Sequence, residues 1–291
     1  MFRRVWISAA LALGCVLATA VLTGCEESSK DDAKDLFTGT GKIDAGGRSV
    51  HVSCAGRQVE DRPVVVLLSG GGDGLEKLAA LRGTLSKKGK VCSYDRLGEG
   101  ASDKPAGPQT LKSTGKVLSA VLDRVAGDGP VVLAGHSLGG LIAGRYAPDH
   151  QDRVKGLVLM DATSPTQTAD LTEGIPESAP ASAAALRDQT LSILGGGKPE
   201  LLTVPDGKVR SAGDVPVEVL SHGKQYLAAV PEYGPGLERA WSEGQRKWLA
   251  LSGDSRQSTA AKSGHYVYVD EPDLAVRVIE RVTARAAADG A

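Results

Sequence analysis

Gly135-His136-Ser137-Leu138-Gly139 sets a serine midway between two glycines. The apolar run Val131–Ala134 precedes it and a helical pattern over Leu138–Tyr146 follows, so the serine falls on a strand-to-helix bend. A bend that tight strains the backbone, and the flanking glycines remove Cβ atoms that would collide. The hydroxyl also sits at a helix N-terminus, where free N–H groups and the dipole favour negative charge. Such a serine is a nucleophile in waiting, because its hydroxyl reacts poorly until a base takes the proton. Two of the five histidines are candidates for that base. His265, in Ser263-Gly264-His265-Tyr266, lies after the last short strand and just ahead of the final helix. His222 follows the strand Val215–Leu220 and is read as a residue at the pocket mouth. His136 adjoins the serine but points away from it, and His51 and His150 read as structural or surface residues.

An imidazole base needs an acceptor on its other nitrogen to fix tautomer and orientation. Asp161 ends the apolar strand Gly156–Met160 and gives the chain order Ser, Asp, His. Glu232 is the alternative acid, and Asp161 is also open to a purely local role, capping the turn that follows it. Ser221-His222-Gly223-Lys224-Gln225, after the next strand, holds no carboxylate. The chemistry this set would perform is acyl transfer, which also needs donors for a developing oxyanion. The Leu138 N–H is one.

The elements that must position these groups read as an α/β domain. The chain has 291 residues, 41% of them hydrophobic, enough for a sizeable core. Lys+Arg number 34 against 35 Asp+Glu, a net charge of −1, which excludes a basic nucleic-acid binder. No His/Glu/Cys group has metal-ligand spacing, and Ser69–Gly74 lacks the Lys-Ser/Thr of a phosphate-binding loop, so neither metal nor other cofactor is expected. Val64–Leu68 reads as a central strand buried on both faces. Helices are expected over 75–86, 111–125, 138–146, 241–251 and 273–286, and strands over 91–94, 131–134, 154–160 and 215–220. Strands alternating with helices give a mostly parallel sheet with helices on both faces. Residues 162–214, rich in Pro, Ser, Thr, Gly and Ala with one helix near 181–194, are too long for a plain connection and read as an insertion.

With Gly135-His136-Ser137-Leu138-Gly139-Gly140, the chain resembles the α/β-hydrolase superfamily over approximately residues 40–288. Tyr94-Asp95-Arg96-Leu97-Gly98-Glu99-Gly100-Ala101-Ser102 is similar to that family's Tyr-Asp-x-x-Gly-x-Gly-x-Ser loop, and Ser263–Tyr266 to the loop carrying its catalytic histidine. The resemblance implies a hydrolase fold whose insertion caps the sheet between the sixth and seventh strands. It implies Ser137 as nucleophile, His265 as base and Asp161 as acid, in the position of a known variant of the superfamily. It puts a second oxyanion donor at Gly71, in a loop reading Ser69-Gly70-Gly71 where many relatives have His-Gly-x. It also makes the runs holding Cys54 and Cys92 neighbouring strands, where a disulfide is expected. The implied substrate is a small ester, with an amide second. A non-catalytic binding module is the competing reading, motivated by the acid's position and the missing loop histidine. Dehalogenases of this fold carry a carboxylate where this chain has Ser137.

Met1-Phe2-Arg3-Arg4, the apolar stretch Val5–Val21 and Leu22-Thr23-Gly24-Cys25 resemble a bacterial lipoprotein signal with its lipobox. That resemblance implies cleavage after residue 24, lipid attachment at Cys25, a polar tether over 25–35 and a domain over 36–288 held outside the cytoplasmic membrane; the alternative is an uncleaved transmembrane anchor, since the apolar run approaches spanning length. Membrane contact through the anchor is thus the one macromolecular association expected. The oligomeric state is not legible.

Overall fold

The computed structural model describes residues 36–288. The expectations for residues 1–35, namely the signal segment, Cys25 and the tether, lie outside them. Among the described residues, no helix is long and apolar enough to cross a membrane.

The sheet comprises β1 (Gly39–Asp44), β2 (Ser49–Ala55), β3 (Val64–Leu68), β4 (Val91–Tyr94), β5 (Val131–His136), β6 (Val154–Met160), β7 (Val217–His222) and β8 (Ser255–Ala260). Their spatial order is β1-β2-β4-β3-β5-β6-β7-β8. β2 runs antiparallel to both β1 and β4, and every other pairing is parallel. β3 shows why the central strands are apolar throughout. Val64, Val66 and Leu68 enter one core layer while Val65 and Leu67 enter the other. α1 (Ala79–Leu85) and α8 (Pro272–Ala288) cover the second layer through Leu81, Leu85, Val278 and Ile279. α2 (Leu111–Ala126) and α3 (Leu138–Tyr146) cover the first through Leu118, Leu122, Leu141 and Ile142. α2 starts at a reciprocal cap, in which the Ser113 N–H donates to Thr110 Oγ1 and the Thr110 N–H to Ser113 Oγ.

The insertion between β6 and β7 holds α4 (Gln167–Gly174) and α5 (Ala181–Leu194). It then returns to the sheet domain, where the Gln109 N–H donates to Leu201 O and the Thr203 N–H to Gln109 O. After β7 come α6 (Gly234–Lys247) and, past β8, the short α7 (Val267–Asp270).

Three elements depart from the sequence pattern. β1 was not expected, because Gly-Thr-Gly-Lys-Ile-Asp has one buried apolar residue and forms only by pairing along β2. α4 was missed inside a polar stretch whose only buried residue is Leu171. α6 begins at Gly234 rather than Trp241, opening on Gly-Pro-Gly: propensity disfavours the glycines, but the proline suits a first turn.

Cys54 and Cys92 face each other across β2 and β4 and are disulfide-bonded. The bridge spans 38 positions, which the chain-entropy relation values at about 4 kcal/mol. The Cys54→Ala/Cys92→Ala double variant should lose stability of that order in urea unfolding, with a larger slope because its unfolded chain is less compact.

Candidate active site

The bend after β5 has the strain its sequence implies. Ser137 has φ 50° and ψ −120°, in a region that non-glycine residues rarely occupy. A Cβ at Gly139 would strike the carbonyl oxygens of Leu68 and Ser69, and one at Gly135 the Gly139 backbone, so both positions need glycine. The bend is tied to β6 by Ser137 N–H donating to Met160 O (3.1 Å).

Asp161 follows β6 directly, is fully buried and also has positive φ, 45°. Its Oδ2 accepts from His265 Nδ1 at 2.7 Å. Its Oδ1 accepts from His222 Nδ1 (2.8 Å), the His222 backbone N–H (3.2 Å) and Trp241 Nε1 (2.9 Å). Burial works against this charge, but the hydrogen bonds and charges of the two imidazoles outweigh it and hold the carboxyl down at about 2. The structure therefore brings Asp161 to His265. Glu232 is exposed on a loop with φ 63° and hydrogen-bonds neither histidine, which removes the alternative acid.

His265 is carried by a short loop held from below: Gly264 N–H donates to Asp270 Oδ2 (2.8 Å) and Lys262 N–H to Glu271 Oε1 (2.6 Å). Its ring lies 4.5 Å from that of His136, next in chain to Ser137. His136 Nε2 donates to the His265 carbonyl at 2.9 Å. Burial and the neighbouring His265 push His136 down to about 3, so it is a neutral strut and not a base. Ser137 Oγ hydrogen-bonds Thr163 Oγ1 at 3.5 Å and makes no hydrogen bond to His265. The other two histidines sit as expected: His51 bonds Asp95 (2.9 Å), and His150 stacks on Tyr146.

Gly71 lies against the start of α3, where a Cβ would be 3.3 Å from Leu138 Cδ2. Arg96 shapes this loop. Its Nη1 donates to Ser69 O and its Nη2 to Gly70 O, both at 2.7 Å. In a trans peptide the following N–H points opposite to the carbonyl, so the Gly71 N–H is turned away from Arg96. Arg96 is buried and pairs with Glu99 (2.7 Å) and Glu200 (3.2 Å), the latter supplied by the insertion. The Gly72 N–H donates to Glu99 Oε1. One buried cation facing two carboxyls leaves room for one ionised acid. Burial, with Glu200 alongside, pushes Glu99 up to about 8.

Four contributors were missed from sequence: Trp241, Glu238, whose Oε2 lies 3.0 Å from His222 Nε2, Glu200 and the Arg96–Glu99 pair. The pair had a signal, two opposite charges three residues apart in a glycine-rich loop after a buried strand. Trp241, Glu238 and Glu200 had none, since no spacing rule joins them to the groups they meet. Trp241 also stands edge-on to His265 (5.5 Å between ring centroids) and, with Leu171, Leu186, Leu227 and Leu237, lines an apolar cavity of about 130 Å³.

Residues 63–188 match the family model described as alpha/beta hydrolase fold. The domain has the α/β-hydrolase fold. The enol-lactonase from Burkholderia xenovorans superposes on this chain with a TM-score of 0.58 at 19% identity, over 84% of this chain and 100% of that one. Lipase LipV of Mycobacterium tuberculosis is 44% identical over 71 residues, 24% of this chain and 26% of that protein. The human (lyso)-N-acylphosphatidylethanolamine lipase is 32% identical over 104 residues, 35% of this chain and 30% of that protein. The chain thus aligns with about a quarter to a third of these curated relatives' lengths.

The raised Glu99 carboxyl has a stability consequence. The unfolded chain releases that proton in the ordinary carboxylate range, whereas the folded protein keeps it up to about pH 8. The contribution is therefore whole in acid and lost as pH rises toward 8. Glu99→Gln, fixed in the neutral form, should gain urea midpoint relative to wild type steadily as pH rises from about 5 to 8.

Proposed function

We propose that this protein is a serine hydrolase that cleaves carboxylic esters, with amides as the second substrate class, through an acyl-enzyme on Ser137. The observation that carries the reading is the 2.7 Å His265–Asp161 hydrogen bond, formed beside a serine held in the strained bend. Asp161 stays ionised and so fixes the proton on Nδ1 of His265, leaving Nε2 as the base. Ser137 Oγ turns from Thr163 to His265 and attacks the carbonyl carbon while Nε2 takes its proton. The N–H groups of Leu138 and Gly71 receive the oxyanion. Nε2 returns the proton to the departing oxygen or nitrogen, and the C–O or C–N bond breaks. Water, deprotonated by the same imidazole, then releases the acid and restores Ser137.

Relatives named as lipases and a structural neighbour named as an enol-lactonase support hydrolysis of an ester-type bond. The cavity beside Trp241 suits an apolar substrate group. The lipobox-like Leu22-Thr23-Gly24-Cys25 supports a lipid anchor on Cys25 outside the cytoplasmic membrane, and the Cys54–Cys92 disulfide suits that oxidising compartment.

A fluorophosphonate probe should label wild type and leave Ser137→Ala unlabelled. Asp161→Asn should lower kcat on p-nitrophenyl esters by about 10³–10⁴-fold. A folded wild-type protein that neither labels nor turns over any ester or amide would overturn the proposal in favour of a binding module. In cells, labelled fatty acid should enter the wild-type protein and not Cys25→Ala, and a wild-type protein that takes up no label would refute the anchor.

A further inference from the structure

His222 occupies the end of β7, and its ring is held between two acids. Nδ1 is 2.8 Å from Asp161 Oδ1, and Nε2 is 3.0 Å from Glu238 Oε2 on α6. Its side chain is 5% exposed. Counting donors settles its protonation. Asp161 receives four hydrogen bonds and offers none, so Nδ1 must donate to it. Glu238 Oε1 accepts the backbone N–H groups of Leu227 (2.7 Å) and Ala228 (3.3 Å), which favours its ionised form and makes Nε2 a donor as well. Both nitrogens then carry protons.

We propose that His222 is an imidazolium at neutral pH that, clamped by Glu238, positions Asp161 and tempers the negative charge that Asp161 presents to His265. This inference rests on the hydrolase reading for its catalytic consequence, though not for the charge itself. The arrangement is a chain: Glu238 carboxylate, His222 cation, Asp161 carboxylate, His265. The positive charge on Oδ1 offsets the negative charge that Oδ2 presents to His265. Without that offset Asp161 would present its full negative charge to the His265 ring. The two carboxylates outweigh the effect of burial on His222 and hold its proton above the ordinary histidine range. The remaining groups around it are Tyr226, whose ring lies 4.8 Å away, and Trp241. Burial raises the Tyr226 hydroxyl, so it stays neutral. On the solvent side His222 and Glu238 border an open cleft of about 690 Å³ with Arg239 and Arg246 at its rim.

Two measurements test this on the full-length protein. With 15N-histidine labelling, His222 should show both ring nitrogens protonated at pH 7.5 in wild type, and should become neutral at that pH in Glu238→Gln. A neutral His222 in wild type at pH 7.5 overturns the proposal. The second is the pH dependence of the fluorophosphonate labelling rate. His222→Gln keeps a donor for Asp161 but no charge, so the rise of rate with pH should move upward by about one unit. A rate that falls at every pH with an unmoved midpoint would show a merely structural residue and overturn it. Should His222→Gln fail to fold, Glu238→Gln gives the same two readings. Absence of labelling in wild type would defeat the hydrolase reading alone, and the nitrogen spectrum would still decide the charge of His222.

Discussion

The site depends on one buried carboxylate. Asp161 is wholly removed from water, and a lone charge there would be expelled by protonation. Four donors from three elements prevent that: His265 past β8, His222 at the end of β7, and Trp241 on α6. Each donor is fixed in turn, so the carboxylate works as a hub. It also pulls together the part of the fold C-terminal to β6, since the end of β7, the middle of α6 and the His265 loop all bond to it. The positive φ of Asp161 is backbone strain held in place by these bonds.

A second buried charge organises the opposite wall. Arg96 receives two carboxyls and gives two hydrogen bonds to the carbonyls of Ser69 and Gly70, which sets the direction of the Gly71 N–H. Ser69 heads this loop. The guanidinium does the orienting from behind the loop. Because Glu200 belongs to the insertion, that segment is fastened to the loop carrying Gly71 through Arg96. Asp95, next to Arg96, receives the N–H groups of Leu75 and Ala101 and closes the same corner.

The two clusters share a logic: each keeps its charges by balancing them locally. Around Asp161 a cation stands between two anions. Around Arg96 one acid is held neutral at ordinary pH. Paired buried charges confer precise placement more than raw stability, because desolvation offsets much of their attraction. That suits a site whose working groups must hold fixed hydrogen-bond directions.

The sequence by itself determined the central sheet and the bend. Val64–Leu68 and Val131–Ala134 are apolar without interruption, and only strands buried on both faces need that. Gly135 and Gly139 flank Ser137 because close backbone contacts exclude any side chain there. These are local signals, written in neighbouring residues, so Ser137, Leu138, Asp161 and His265 could be nominated before any coordinates. Only the tertiary structure decided which acid meets His265, where His222 belongs and what holds Gly71. His222 lies 61 positions from Asp161, and Arg96 lies 104 from Glu200. No spacing rule links residues so far apart. Their meeting follows from parallel strands ending at one edge of the sheet, and from an insertion that returns to pack Glu200 against Arg96. β1 and α4 were hidden for the same reason, since each draws its stability from a neighbour and little from its own residues.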